Sequence, residues 1–192
     1  MKVIAGKYKG RVLPFVNKRF NNADSTPQKL KGSLFSVLGE NFKGKLFLDL
    51  YACSGQIGIE ALSREAEMVV FNEIEKKRFY FIRSLINDWD LGDSGIVYNF
   101  HAERCLRHLK SKNILFDYIY IDPPYKKVKG DVNLYNNILN NISKKSILKN
   151  YGVIVIQHFS KNVLRERIYN YYLIERKKYS NNTLSFYRSD ID

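Results

Sequence analysis

Cysteine is scarce in this sequence of 192 residues, and its two examples, Cys53 and Cys105, show no paired spacing. A disulfide framework or a cysteine zinc site needs such spacing, so neither is predicted, and we expect reduced thiols in a cytoplasmic protein. Histidine is equally sparse. Because His101, His108 and His158 lack the spacing of metal ligands, the sequence predicts no metal site.

Long apolar runs are also absent. No segment approaches the eighteen or so uninterrupted apolar residues of a membrane-spanning helix, and residues 1–7 contain no apolar region of a signal peptide. Hydrophobic side chains still make up 45% of the chain, which is enough for a core, and the length fits one domain. We therefore expect a cytoplasmic globular protein with no membrane partner.

Acidic residues are in the minority: the chain has 32 basic and 19 acidic side chains, a net charge of +13. The excess is uneven, because residues 1–31 contain one acid, Asp24, against eight basic residues: Lys2, Lys7, Lys9, Arg11, Lys18, Arg19, Lys29 and Lys31. A cationic surface attracts polyanions, of which nucleic acid is the commonest in cytoplasm. A membrane surface is the rival partner, but no basic amphipathic helix stands out. An AT-rich genome would raise lysine everywhere, whereas this uneven distribution favours nucleic acid.

The N-terminal residues predict a short hairpin followed by a polar loop. Residues 3–5 and 11–13 flank a Lys-Gly turn, where Gly10 can adopt the positive φ of a tight turn. After the loop, Ser25 or Thr26 can cap a helix whose capping box Gln28 would close. We therefore divide the chain into a basic hairpin and loop over residues 1–24 and a larger domain over residues 25–192.

From residue 45 onward, strand and helix patterns alternate. Seven strands are predicted, over residues 46–50, 68–72, 96–100, 117–121, 153–156, 171–177 and 183–187, with the clearest helices over 58–66 and 76–91. Nearly apolar strands are typical of a parallel sheet covered on both faces, and the alternation implies a doubly wound α/β fold. The last two strands lie too close in sequence for a crossover helix, so they form an antiparallel hairpin. A mostly parallel seven-stranded sheet closed by such a hairpin is the Rossmann-like arrangement of class I methyltransferases.

A cofactor site is predicted at the carboxyl ends of the first strands, where doubly wound folds bind their ligands. Asp49 ends the first strand and can face the ammonium end of an amino-acid moiety, and the next turn brings Tyr51, Ser54 and Gly55 to the same place. Glu73 ends the second strand and can accept hydrogen bonds from both hydroxyls of an unphosphorylated ribose. The predicted cofactor is S-adenosyl-L-methionine.

Two positions in this site leave alternatives open. Cys53 occupies the place of the first glycine of the dinucleotide fingerprint, which argues against a dinucleotide cofactor. At the end of the third strand, His101 comes first where an acid usually contacts the adenine amino group. That contact therefore falls to Glu103, to the Ala102 backbone, or to nothing specific. A plain glycine turn with solvated acids at the strand ends is the alternative to the whole site.

The fourth predicted strand delivers Asp122, Pro123, Pro124 and Tyr125 at its carboxyl end. An exocyclic amine is a poor nucleophile because its lone pair is delocalised into the ring. The Asp122 carboxylate and the Pro123 carbonyl can accept its two N–H groups and draw the nitrogen toward a tetrahedral shape, while the prolines preorganise the backbone. Tyr125 can stack on a flipped-out base. The motif predicts methylation of an exocyclic amine without a covalent nucleophile, and it leaves open which base carries that amine.

Several further motifs resemble those of one family. Residues 3–11 look like the opening R-I-I-A-G-x-x-R-G-R, residues 34–38 look like L-F-N-I-L, and residues 48–64 look like L-D-L-F-A-G-S-G-x-L-G-x-E-A-L-S-R. With residues 122–125 and a closing strand over 179–187, the chain resembles the RsmD-like 16S rRNA (guanine-N2)-methyltransferases of bacteria over nearly its whole length.

The resemblance implies cofactor contacts at Asp49, Gly55 and Glu73 and target-amine contacts at Asp122 and Tyr125. It also implies that the basic hairpin binds 16S rRNA within a partly assembled 30S subunit. We expect the RNA contacts at Lys7, Lys9, Arg11 and Lys126, and a monomeric protein.

Four departures from the family pattern accompany this resemblance: Cys53 replaces a glycine, Gly32 a glutamate, Thr26 an arginine and Gln157 an acid. Two other functions stay open. One is adenine-N6 methylation of DNA or another RNA, because the Asp-Pro-Pro-Tyr motif serves either amine. The other is a non-catalytic RNA-binding assembly factor whose cofactor site has decayed, which only Cys53 and His101 support.

Overall fold

The computed structural model describes residues 1–20, 26–124 and 132–189. The chain divides into two compact units, Met1–His101 and Ala102–Asp192. No described helix is long and apolar enough to cross a membrane.

The first unit contains a three-stranded parallel sheet of order β3-β2-β1, with β1 at Leu46–Asp49, β2 at Met68–Asn72 and β3 at Gly95–Tyr98. Its helices are α1 (Gln28–Leu38), α2 (Gln56–Ser63) and α3 (Lys76–Asp88), with short 3₁₀ turns at Asn17–Phe20 and Gly92–Ser94. Most of β1 and β2 is buried, which matches their nearly continuous apolar sequence.

The second unit contains five strands of order β4-β5-β8-β7-β6. The strands are β4 (Phe116–Ile121), β5 (Leu148–Phe159), β6 (Arg167–Ile168), β7 (Tyr171–Tyr179) and β8 (Asn182–Ser189), and the helices are α4 (Ala102–Ser111) and α5 (Asn133–Lys145). The β4–β5 pair is parallel, whereas β8 pairs antiparallel with both β5 and β7.

The predicted fold class is confirmed, with one more strand than the sequence pattern indicated. The additional strand is β6, whose two residues pair with the start of β7. Strand β2 has the predicted bounds, but β5 starts at Leu148 rather than Val153 and continues to Phe159. It extends further because β8 pairs with it as far as Phe159, beyond the last residue that pairs with β4.

The N-terminal hairpin forms only in part. Its turn is present, with Gly10 at φ +86° and the Val3 amide donating to the Arg11 carbonyl at 2.9 Å. The ladder is limited to one bridge, Lys2 to Val12, and the two predicted strands are not regular. The reason is that the amides of Ile4 and Ala5 donate to the Glu60 carboxylate on α2, at 2.9 Å each, instead of to the other arm.

Gly6 allows this segment to lie directly against α2. Its φ is +80°, and a Cβ atom at this position would stand 1.7 Å from the carbonyl oxygen of Ser63. The Lys7 amide donates to the same Ser63 carbonyl at 2.7 Å, and the Tyr8 amide donates to the Ser63 hydroxyl at 3.0 Å. Any side chain at position 6 would push the segment off the helix, which only glycine avoids.

The predicted capping box at the start of α1 is wrong. Pro27 is the residue that precedes the helix, and no side chain of residues 1–20 or 26–124 caps it. The side-chain amide of Gln28 donates through Nε2 to the Lys2 carbonyl instead, which ties α1 to the N-terminal segment. Ser25 lies outside the described residues. The boundary between residues 24 and 25 falls in that same undescribed range, so the division of the chain there stays a prediction.

Lys31, which the sequence counted among the cations available to a polyanion, is an interior residue. Its side chain is fully buried, and its ammonium group lies 2.9 Å from the Glu60 carboxylate and 2.8 Å from the Lys2 carbonyl oxygen. Burial lowers the pKa of Lys31, and the hydrogen bond that its ammonium group donates to Glu60 opposes this effect. The surface charge of the N-terminal region is therefore smaller than its composition indicates.

Candidate active site

Asp49 stands at the carboxyl end of β1 with an exposure of 1%. Its Oδ2 accepts a hydrogen bond from the Gly58 amide at 3.2 Å, whereas its Oδ1 is buried and has no hydrogen-bond partner among the described residues. Burial raises the pKa of Asp49 to about 7, against the effect of the Gly58 hydrogen bond. A buried acceptor without a donor is unfavourable, so this carboxyl group fits a positively charged donor such as an α-ammonium group.

The turn after Asp49 depends on two glycines. Gly55 has φ +73° directly before α2, and its amide donates to the Ala52 carbonyl at 2.7 Å. Gly58 lies against β2, where a Cβ would meet the Phe71 ring at 2.1 Å. The absence of a side chain at Gly58 therefore lets α2 approach the sheet closely.

Cys53, within the same turn, has φ +50°. This left-handed conformation costs a non-glycine residue roughly 1–2 kcal/mol, which explains in backbone terms why a glycine would suit this position. The Cys53 amide donates to Oε2 of Glu73 at 2.8 Å. The conformation is thus tied directly to the carboxylate at the end of β2.

Tyr51 and Ser54 take different positions in the turn. Burial raises the pKa of the half-buried Tyr51 to about 12, so its phenol is neutral at physiological pH. Ser54 is almost fully buried, and its hydroxyl donates to the sulfur of Met1 at 3.4 Å. The start of the chain therefore covers the turn at Ser54.

Glu73 is buried at the end of β2 and accepts three hydrogen bonds from described residues. Oε1 accepts from the Glu75 amide at 2.8 Å and from Nη2 of Arg78 at 2.9 Å, and Oε2 accepts from the Cys53 amide at 2.8 Å. The carboxylate is therefore fixed in position by β2, the turn and α3 together.

Two asparagines, which sequence reasoning missed, hold the strand ends around this carboxylate. The Asn72 amide donates to the carbonyls of Leu50 and Phe100 at 3.1 Å each. The Asn99 amide donates to the carbonyls of Glu73 and Ile74, at 2.7 and 2.8 Å. A polar amide at the end of an apolar strand was the available signal, because such a side chain needs backbone partners when it is buried.

The residues predicted to contact adenine are divided between the two units. His101 is exposed at the end of the first unit, and Ala102 begins α4 in the second. Glu103 is exposed, and its carboxylate pairs with Arg107 one turn along the same helix, at 3.0 Å. The roles of His101 and Ala102 toward a cofactor stay predictions.

The Asp-Pro-Pro-Tyr motif follows β4 directly, as predicted. Asp122 is half-buried, Pro123 is buried and Pro124 is exposed. Tyr125 and Lys126 lie outside the described residues. The β4–β5 register pairs Ile121 with Ile156. The next residues, Asp122 after the end of β4 and Gln157 in β5, therefore follow paired positions of neighbouring strands.

Gln157 is held in place by a buried hydrogen bond. Its Oε1 accepts from the Tyr120 hydroxyl at 2.7 Å. The sequence had singled out Gln157 only as a departure from an acid. The amide oxygen of Gln157 therefore satisfies the buried Tyr120 hydroxyl.

The three predicted RNA contacts of the N-terminal segment, called here the cationic segment (Lys7, Lys9 and Arg11), are all exposed. The Arg11 guanidinium lies 4.2 Å from the ring centroid of Trp89 and 5.9 Å from that of Tyr8. The ammonium group of Lys7 lies 5.3 Å from the centroid of Tyr8. Cation–aromatic contacts of this kind order long side chains that would otherwise be mobile.

No group of three or more His, Cys, Asp or Glu side chains within the described ranges could hold a metal ion. His158 is buried, and its two ring nitrogens lie 3.0 Å from the Phe159 carbonyl oxygen and 2.9 Å from the Ser185 hydroxyl. Burial lowers its pKa to about 4. Cys105 is also buried, and burial raises its pKa to about 12, so both groups act as neutral core residues.

Comparison with known proteins gives matches over almost the whole chain. Residues 1–188 match the model of the family described as conserved hypothetical protein 95. A putative rRNA methyltransferase, YlbH, of Bacillus subtilis is 32% identical over 188 residues, covering 98% of each chain. A ribosomal RNA small subunit methyltransferase D of Buchnera aphidicola is 33% identical over 182 residues, covering 93% of this chain and 87% of that protein.

Solved structures agree on the fold. A putative methyltransferase of Escherichia coli, yhhF, superimposes with a TM-score of 0.83 at 23% identity, covering 100% of this chain and 99% of the other. A putative methylase of Haemophilus influenzae gives a TM-score of 0.77 at 26% identity, covering 98% and 97% of the two chains. With the family match, these results confirm the resemblance predicted from the motifs: the chain belongs to the conserved hypothetical protein 95 family, that is, to the RsmD-like methyltransferases.

Proposed function

We propose that this protein transfers a methyl group from S-adenosyl-L-methionine to the exocyclic N2 amino group of a guanine in 16S ribosomal RNA. The observation that carries the proposal is the Asp122-Pro123-Pro124 segment at the carboxyl end of β4, in a chain of the RsmD-like family. The Bacillus relative is named a putative rRNA methyltransferase and the Buchnera relative a ribosomal RNA small subunit methyltransferase, and both names support an rRNA substrate.

Except for Ala102, the residues that would hold the cofactor belong to the first unit. The unpartnered Oδ1 of Asp49 fits the ammonium group of the methionine moiety, and Glu73 fits the ribose. The turn at Tyr51, Ser54 and Gly55 would approach the same ligand, and His101 and Ala102 would lie toward its adenine. When bound, S-adenosylmethionine supplies an electrophilic methyl group on sulfur.

Residues of the second unit would activate the amine. The Asp122 carboxylate and the Pro123 carbonyl accept the two N–H groups, so the nitrogen lone pair is released from conjugation and becomes available to the methyl group. Since Pro123 is buried and Asp122 half-buried, these acceptors are preorganised, which lowers the reorganisation needed during reaction. Tyr125 would stack on the flipped guanine.

RNA binding is assigned to the cationic segment and to Lys126, with residues 1–24 as the RNA-binding region ahead of the methyltransferase domain. Exposed cations that pack on Tyr8 and Trp89 can contact phosphates while keeping a defined position. The substrate would be 16S rRNA in a partly assembled 30S subunit, bound by a monomer in the cytoplasm.

The proposal is tested by mass spectrometry of nucleosides from rRNA of a strain that lacks the gene. Loss of N2-methylguanosine, restored by the wild-type gene but not by Asp122→Ala, is expected. Loss of N6-methyladenosine instead would favour the adenine alternative. Unchanged modification in the deletion strain, or full restoration by Asp122→Ala with normal folding, would contradict the proposed mechanism.

A further inference from the structure

The residues around Glu73 carry an inference about how this site contacts ribose. A carboxylate offers about four lone-pair positions, two on each oxygen. Among the described residues, Oε1 of Glu73 already accepts two donors, the Glu75 amide at 2.8 Å and Nη2 of Arg78 at 2.9 Å. Oε2 accepts one donor, the Cys53 amide at 2.8 Å. One position therefore remains, and it is on Oε2.

Arg78 is held close to Oε1 of Glu73 by its place on α3. It is the third residue of α3, whose start is capped by the Glu75 carboxylate accepting from the Lys77 and Arg78 amides at 3.1 and 2.9 Å. The Arg78 side chain is 20% exposed. An ion pair that is largely removed from water and anchored by helix geometry is costly to break.

The other two donors are equally fixed, because both are backbone amides. The Cys53 amide belongs to the turn before α2, and the Glu75 amide belongs to the link between β2 and α3. Movement of either would require the backbone to rearrange. Of the three groups that now occupy Glu73, Arg78 alone could leave by a change of side-chain conformation.

We infer that Arg78 is a positioning residue that makes Glu73 the acceptor of a single ribose hydroxyl, on Oε2, rather than of both. The inference rests on the proposed function, since it concerns the ribose of S-adenosylmethionine. It differs from the two-hydroxyl contact that the sequence predicted from an acid at this strand end. The second hydroxyl would then make no contact with the carboxylate.

The test measures binding of S-adenosylhomocysteine to the wild-type protein by isothermal titration calorimetry. It is compared with two analogues that lack either the 2′-hydroxyl or the 3′-hydroxyl. A hydrogen bond to a charged group corresponds to roughly a ten- to hundredfold change in affinity. We expect one analogue to bind at least about tenfold more weakly and the other to stay within about threefold of the parent.

Variants of Arg78 supply the second arm of the test. In Arg78→Met, Oε1 loses a donor and becomes available, so the analogue that was tolerated should also bind about tenfold more weakly than the parent. Arg78→Lys keeps a cationic donor and should retain the one-hydroxyl pattern. Arg83→Met is the matched control, because Arg83 lies exposed on the same helix with its guanidinium 5.7 Å from the Phe79 ring.

The outcomes separate this inference from the function on which it rests. If the wild-type protein binds S-adenosylhomocysteine but both analogues are weakened alike, or neither is, Arg78 does not limit Glu73 to one hydroxyl and the inference is wrong. If the wild-type protein binds no S-adenosylhomocysteine at all, the proposed cofactor is wrong, and the inference fails with it. The comparison of the two analogues uses the wild-type protein, so it remains decisive even if a variant of Arg78 folds poorly.

Discussion

Replacement of Glu60 by glutamine should be among the most destabilising conservative changes in this chain. Glu60 is fully buried on α2, and each of its oxygens accepts two hydrogen bonds. Oε2 accepts from the Ile4 amide and the Lys31 ammonium group, both at 2.9 Å. Oε1 accepts from the Ala5 amide at 2.9 Å and from Nε of Arg64 at 3.3 Å.

The size of the destabilisation follows from the loss of acceptors, because the NH₂ group of a glutamine cannot accept hydrogen bonds. In Glu60→Gln, one oxygen becomes an NH₂ group, so two of the four donors face another donor and lose their partner. Each buried donor left unpaired costs about 1–3 kcal/mol, and breaking a buried ion pair by removing one charge costs about 3–5 kcal/mol. These contributions overlap, so we expect a loss of about 3–5 kcal/mol. That is a large share of the roughly 5–15 kcal/mol by which domains are stable.

Urea denaturation measures the loss, and amide hydrogen exchange locates it. The amides of Ile4 and Ala5 should exchange faster in Glu60→Gln than the loss of global stability alone predicts. Lys31→Met should cost less, because Glu60 would keep Arg64 and the two backbone amides as partners. The control is Glu103→Gln, which breaks an exposed pair with Arg107 and should cost less than about 1 kcal/mol.

The reasoning is refuted if Glu60→Gln costs no more than Glu103→Gln. That result would mean that the four donors find other partners or water when the carboxylate is lost. Equal destabilisation by Lys31→Met and Glu60→Gln would refute a narrower point, namely that the backbone amides of the N-terminal segment contribute beyond the ion pair.

Three further predictions concern the same unit. Gly6→Ala should cost more than 2 kcal/mol in urea denaturation, because its Cβ would stand 1.7 Å from the Ser63 carbonyl oxygen. Gly44→Ala, at φ +70° but with open space around its Cβ, should cost about 1 kcal/mol. Burial raises the folded-state pKa of Asp49 to about 7, so the folded protein binds the Asp49 proton more tightly than the unfolded chain does. The resulting contribution to stability is present below about pH 4 and is lost as the pH rises through about 7. Asp49→Asn should remove that loss from the pH profile of the urea midpoint. Glutamine at all three positions of the cationic segment should weaken 16S rRNA binding and flatten its salt dependence in filter-binding titrations, and an unchanged slope would place the RNA contact elsewhere.

The strands of the first unit could be predicted well because their pattern is local. An apolar run such as Met68–Asn72, bounded by charged residues, has few alternatives to a buried strand, and β2 has its predicted bounds. Asp49 and Glu73 could be placed at strand ends for the same reason. The role that we propose for Asp122 follows from the residue types alone, and the structure adds that Pro123 beside it is buried.

What sequence reasoning missed depends on contacts between distant segments. Lys31 was counted as a surface cation because nothing near it in the sequence shows that Glu60 is its partner. The hairpin was predicted as two strands because the pattern of residues 3–13 is compatible with pairing, while the competing acceptors lie on α2. In both cases a tertiary partner overrides a correct local preference.

Helix α2 supports both the proposed cofactor site and the proposed RNA-binding segment of the first unit. The start of α2 follows the turn that carries Cys53 and Gly55, and its end, through Glu60 and Ser63, binds the backbone that carries the cationic segment. The segment is thus positioned by main-chain hydrogen bonds, whereas its charges are on exposed side chains. Neutralising the charges should therefore weaken RNA binding with no more than the small loss of stability that the exposed cation–aromatic contacts contribute. Glu60→Gln should reduce both RNA binding and stability. If neutralising the three charges destabilised the protein as much as Glu60→Gln does, main-chain hydrogen bonds would not be what holds the N-terminal segment.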